Sequence, residues 1–261
     1  MTSPNVRLSS PTHLRATSLV AEFLGTAGLL SAVTMSRALF DSLLAHGLAV
    51  GASLTVLIMV FRSVSGAHLN PLVTAAFGVL EKWPLSHVLS YTAAQITGGF
   101  SGVVLSNALL NEGIVNSANV PTVPMTFGVS EAIATGGLVS LVCLLARART
   151  PIIATAIGSY IAAAVVITPS GAFANPAVTL GRLGTDTLAG INLGSAPTLL
   201  IGQIIGTLIA IVALAAFGRE TALLKSAPIE PKNRPQAENS RETSLPSWRC
   251  VLQTGVTTTG N

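Results

Sequence analysis

One phrase occurs twice in this chain and limits its folding more than any other feature. Ser65 to Thr74 reads SGAHLNPLVT and Ser170 to Thr179 reads SGAFANPAVT, each after a long apolar run. Asn is a preferred helix cap, and Pro is tolerated at the first helical position because its missing N–H had no partner there. Each Asn-Pro therefore predicts a short helix, the first from Asn70 to about Leu80, the second capped by Asn175 and running from Pro176 to about Leu183. Any fold must hold two equivalent helix starts in apolar surroundings.

Those surroundings are a bilayer. Half of the residues are hydrophobic and only 9% are charged, too apolar for a soluble domain of this length. Six runs, Leu19 to Met35, Leu43 to Phe61, Val88 to Leu110, Phe127 to Ala146, Ile152 to Thr168 and Pro197 to Phe217, approach the ~20 residues that a membrane crossing needs. The Asn-Pro helices are too short to cross, so they must dip in and return. The basic stretch with Arg7 and Arg15 before the first run also fits a secretory leader, but Glu22 and the five further spans speak for a retained helix. The expected layout is a polar N-terminal segment over 1–18, a membrane domain over 19–218, and a disordered tail over 219–261 that is rich in Pro, Ser, Thr and charge. The apolar island Trp248 to Leu252 within that tail has no assigned role.

Orientation follows from the positive charges. With both termini in the cytoplasm, Arg7, Arg15, Arg62, Lys82, Arg147, Arg149, Arg219 and Lys225 fall inside near span ends, and only Arg37 and Arg182 fall outside. This bias emerges only if each short helix re-enters on one side. The net charge of +4 thus reports topology and implies no nucleic-acid partner. A second repeat agrees: AEFLGTAGLL in span one matches SEAIATGGLV in span four, pairing Glu22 with Glu131, and AQITGG echoes GQIIGT, pairing Gln95 with Gln203. Halves over about 19–110 and 127–218 must be inverted, because an odd number of crossings separates them.

Irregular backbone survives at mid-membrane only against protein or a water-filled path. If Asn70 and Asn175 cap their own helices through their side-chain oxygens, their amide N–H groups remain to face a lumen. Each helix start carries about half a positive charge, and a cation ~4 Å from two of them meets about 4 kcal/mol of repulsion at an effective dielectric near 20. Neutral hydroxylated molecules escape that penalty. Glycine pairs one turn apart, Gly47 with Gly51, Gly98 with Gly102 and Gly202 with Gly206, with Gly25 and Gly28 nearby, suit close helix crossings, although small residues are common in membrane helices generally.

The paired Asn-Pro phrases resemble the major intrinsic protein family, the aquaporins and aquaglyceroporins, whose two Asn-Pro-Ala motifs meet in mid-membrane. The resemblance implies an all-α membrane fold with an aquaporin-like inverted repeat of six transmembrane helices and two re-entrant half-helices. It also implies a homotetramer in the cell membrane with one pore per subunit. The motifs fall on Asn70, Pro71 and Leu72 and on Asn175, Pro176 and Ala177. Glu22 and Glu131, costly in a membrane and so functional by default, would accept hydrogen bonds from the re-entrant backbones, as matching glutamates do in the family. A proton relay is the alternative role. His68 either lines the inner vestibule or is bonded within its loop.

One departure from the family pattern is informative. Family water and glycerol channels usually carry Arg directly after the second Asn-Pro-Ala, and this chain has Val178. By family spacing, the remaining positions of the outer constriction fall on Val50, Ala163 and Ala172, with Ala164 replacing Ala163 if one residue is gapped. All are apolar, which predicts a wide, weakly polar mouth. Arg182 either reaches back over Val178 to restore a donor there or snorkels to the interface beside Asp186. The loss of the filter arginine resembles bacterial members that conduct neutral metalloid hydroxides such as arsenous acid alongside glycerol-like molecules. The expected cargo is therefore metalloid hydroxides and small polyols, with some water; the alternatives are a water channel or a proton-coupled transporter. The histidines and two cysteines, Cys143 and Cys250, form no disulfide framework, metal set or nucleophile, so neither an enzyme nor a cofactor is expected.

Overall fold

The computed structural model describes residues 14–226, and within them the chain is helical, without strands. Its elements are α1 (Ala16–Leu39), α2 (Leu43–Ser65), α3 (Pro71–Leu80), α4 (Leu85–Leu109), α5 (Met125–Leu144), α6 (Thr150–Ile167), α7 (Pro176–Gly181) and α8 (Ala196–Ser226). Six of these are long and apolar enough to cross a membrane, and α3 and α7 are the two half-helices. Local chemistry sets their ends. Ser42 caps α2 by accepting from Ala45 N–H, and Gly66 closes it in the left-handed region at φ 94°, where a side chain would be strained. Proline stands within one residue of the start of α3, α4, α5, α6 and α7.

Exposure is inverted relative to a water-soluble protein. Leu44, Leu48, Val56 and Ile133 are exposed, whereas Glu22, Thr26, Gln95, Glu131 and Gln203 are completely buried. Such a surface suits hydrocarbon and such an interior suits a polar path. The glycine pairs do the expected packing. Gly98 and Gly102 of α4 rest on the backbone of Phe23 and Ala27 in α1, while Gly202 and Gly206 of α8 rest on Gly128 and Ala132 in α5. Between the halves, α2 crosses α6, and a methyl added at Gly47 would lie 2.8 Å from the Ala162 carbonyl. Gly25 and Gly28 differ, since they face the side chains of Leu69 and Leu57 rather than a backbone.

Two boundaries move. The second half-helix is expected to reach Leu183 but ends at Gly181, and Arg182–Gly184 tighten into a 3-10 turn. The last helix continues past 218 to Ser226, through Thr-Ala-Leu-Leu-Lys, residues that mostly favour helix on their own. Arg7, Trp248, Cys250 and the rest of 1–13 and 227–261 lie outside the described residues.

Candidate functional site

The two half-helices are built alike. Asn70 accepts from Leu72 N–H and Asn175 from Ala177 N–H, both at 2.9 Å, so each side-chain oxygen caps its own helix. The sequence suggested that the amide N–H groups stay free for a lumen, and the structure leaves them only partly so. Asn70 Nδ2 donates to the Ala174 carbonyl and Asn175 Nδ2 to the Leu69 carbonyl, each at 2.8 Å. Every amide thus spends one N–H bracing the opposite loop and keeps one for the space in front of it. The same exchange brings the starts of α3 and α7 together.

Ahead of each Asn the backbone alternates into the left-handed region, at Ala67 and Leu69 (φ 51° and 50°) and at Ala172 and Ala174 (φ 45° and 47°). Non-glycine residues resist that conformation, at a cost of order 1–3 kcal/mol each. Two buried carboxylates hold them there. Glu22 accepts from the N–H groups of His68 (3.0 Å) and Leu69 (2.7 Å), from Ser65 Oγ and from Gln95 Nε2. Glu131 accepts from the N–H groups of Phe173 (2.9 Å) and Ala174 (2.7 Å) and from Gln203 Nε2. Gln95 and Gln203 tie each carboxylate to its half-helix by also donating to Thr74 and Thr179.

A single cavity of about 810 Å³ passes the two asparagines. Its near mouth, by the start of α1, is bordered by Arg15, Ser18, Trp83 and Arg147; its far mouth by His46, Val178 and Arg182. Val50 and Ala172 also line it. Neither Glu22 nor Glu131 does. Ala163 is misplaced: it sits on the exposed face of α6, and Ile161 and Val165 supply that wall instead. Ala164 is buried but also absent from the wall.

His68 combines both of its expected positions. Its ring lines the cavity, Nδ1 lies 3.1 Å from Thr74 Oγ1, and the ring stacks on Phe77 and Trp83 at centroid distances of 4.8 and 5.3 Å. Arg62 lines the near mouth as well, but its guanidinium donates to the carbonyls of Ala146 and Ala148 and to Thr150, clamping the α5–α6 connection. Arg182 points into the cavity wall rather than out to Asp186. Its Nε donates to the Ala189 carbonyl and its guanidinium carbon lies 3.8 Å above the Phe173 ring. Asp186 instead accepts from Asn119 N–H. Sequence reasoning missed His46, a lone histidine on an apolar helix with no counterpart in the second half; its place four residues before Val50 was the available signal.

Among the described residues no group of His, Cys, Asp and Glu could hold a metal. The site offers a passage, helix starts and fixed hydrogen-bonding groups, the means for selective permeation.

Comparison with known proteins agrees. Residues 7–152 match the family described as Major intrinsic protein. Aquaglyceroporin AqpS of Rhizobium meliloti (strain 1021) is 34% identical over 201 residues, covering 74% of this chain and 86% of that protein. Aquaporin NIP2-1 of Zea mays is 33% identical over 175 residues, covering 64% of this chain and 57% of its own length. In fold, the X-ray structure of the aquaglyceroporin from Plasmodium falciparum superposes with a TM-score of 0.59 at 23% identity, covering 75% of this chain and 93% of that one.

Proposed function

Since this chain belongs to the major intrinsic protein family, a family of channels rather than enzymes, we propose that it passes metalloid hydroxides such as arsenous acid and glycerol-like polyols down their gradients, with water as a lesser passenger. The observation that carries the choice of cargo is Val178, which is buried, lines the passage and occupies the place directly after the second Asn-Pro-Ala. With Val50 and Ala172 also in the wall, that level of the far mouth is aliphatic. An arginine there would narrow the path and favour water. Without it a molecule the size of glycerol meets methyl groups and loses less hydration than an ion would. The positive helix starts at Asn70 and Asn175 disfavour cations.

We assign the near mouth, with its arginines, to the cytoplasm, both termini with it, and the chain to the cell membrane as a homotetramer. Glu22 and Glu131 brace the loops. The geometry speaks against a proton relay, because Glu22 is held by four donors and Glu131 by three, and both stand behind the wall. The test is vesicle swelling with purified protein: fast glycerol and arsenous acid uptake is expected, and rapid water flux with neither solute entering favours a water channel instead.

A further inference from the structure

The far mouth carries more than aliphatic groups. His46 lies one turn before Val50 on α2, is 5% exposed, and lines the passage. Its Nδ1 is 2.8 Å from Ser36 Oγ, and that hydroxyl also lies within hydrogen-bond reach of the Ala32 carbonyl. A carbonyl can only accept, so the serine proton goes to Ala32 and the serine oxygen accepts Nδ1–H from the imidazole. The ring is thereby fixed in one tautomer, and Nε2 is left with a lone pair and no partner among the described residues.

Arg182 borders the same mouth and is fixed too. Its Nε is held by the Ala189 carbonyl, its plane rests on Phe173, and Phe173 is itself pinned through its N–H to Glu131. Both terminal nitrogens remain as donors without a partner among the described residues. A hydroxyl group both gives and takes a hydrogen bond, and a molecule with several can satisfy two fixed, opposite requirements at once. Water can do the same but gains less from a fixed geometry because it is small enough to reorient.

We propose that His46 and Arg182 form an acceptor and donor pair at the far mouth that selects neutral solutes bearing two or more hydroxyl groups, with Ser36 as the positioning residue that sets the histidine tautomer. This rests on the channel reading above and specifies where its selectivity resides. The pair takes over, one turn farther out, a polar role absent from Val50, Ala172 and Val178.

Vesicles containing the full-length chain test it, with glycerol, arsenous acid and water as probes. For His46→Leu the ratio of glycerol to water permeability is expected to fall up to about tenfold, the upper end of what a hydrogen bond between neutral groups contributes. His46→Gln, which restores an acceptor, should recover most of that loss, and Ser36→Ala should lower the ratio about threefold. A monodisperse elution profile and a wild-type thermal unfolding midpoint in detergent establish folding. An unchanged ratio in His46→Leu overturns the proposal, as does a His46→Gln channel no better than His46→Leu, since that makes the position merely steric. Should His46→Leu fail to fold, Ser36→Ala and His46→Gln decide alone: a ratio unmoved by Ser36→Ala contradicts the tautomer argument. A wild-type channel that admits neither glycerol nor arsenous acid refutes the channel reading itself, a separate outcome.

Discussion

The two re-entrant loops are near copies at the midplane and strangers at the mouths. Both cap a half-helix with Asn, reach across to the partner loop, and lean on a buried glutamate and glutamine. Away from the centre they part. The first loop ends in an aromatic cluster of His68, Phe77, Trp83 and Tyr91, and α3 runs on to Leu80. The second stops at Gly181, and the next residue, Arg182, folds over Phe173. Even the serines diverge, since Ser65 donates to Glu22 while Ser170 pairs with Ser130. The two halves agree in what holds the loops together and differ at the ends of the passage.

Substitutions can break that comparison, and the largest effects belong to the shared part. Glu22→Ala and Glu131→Ala each strand two buried loop N–H groups at about 1–3 kcal/mol apiece. Thermal unfolding in detergent should show both severely destabilised, Glu22→Ala more so because Ser65 also depends on it. Equal stability of either variant and wild type would mean that the loops stand without their braces. Next comes Val178→Arg, which adds a bulky cation beside Arg182. Stopped-flow light scattering should record a glycerol permeability reduced at least tenfold with water flux largely kept.

Arg182→Ala is smaller: losing the contact with Phe173 costs about 1–2 kcal/mol of stability, while the glycerol to water ratio falls several-fold. Unchanged permeability would return Arg182 to a structural role. His68→Ala, at the opposite mouth, sharpens the contrast. It forfeits stacking worth about 1 kcal/mol and should leave the solute ratio within about twofold.

How far the sequence reveals this arrangement depends on repetition. Asn70, Asn175, Glu22, Glu131, Gln95 and Gln203 are legible because each has a twin at the matching place in the other half. The cross-brace between loops is not, since nothing in a linear sequence says that Leu69 and Ala174 would turn their carbonyls toward the opposite asparagine. Ala163 fails for a helical reason. The wall of α6 is drawn by Ile161 and Val165, and a residue two positions from each is rotated by about 200°, onto the far side. His46 has no twin and so no signal beyond its position. Arg182 is placed in the wall by a 3-10 turn that the extended half-helix did not anticipate.

The central claim is that two braced helix starts border an open path for uncharged, hydroxylated molecules. Purified full-length protein in sealed vesicles, subjected to a glycerol gradient with membrane current and internal pH followed together, tests it most directly. The account predicts accelerated glycerol uptake that carries no current and is indifferent to an imposed proton gradient. Uptake no faster than in protein-free vesicles, or uptake that rises and falls with the proton gradient, would contradict it.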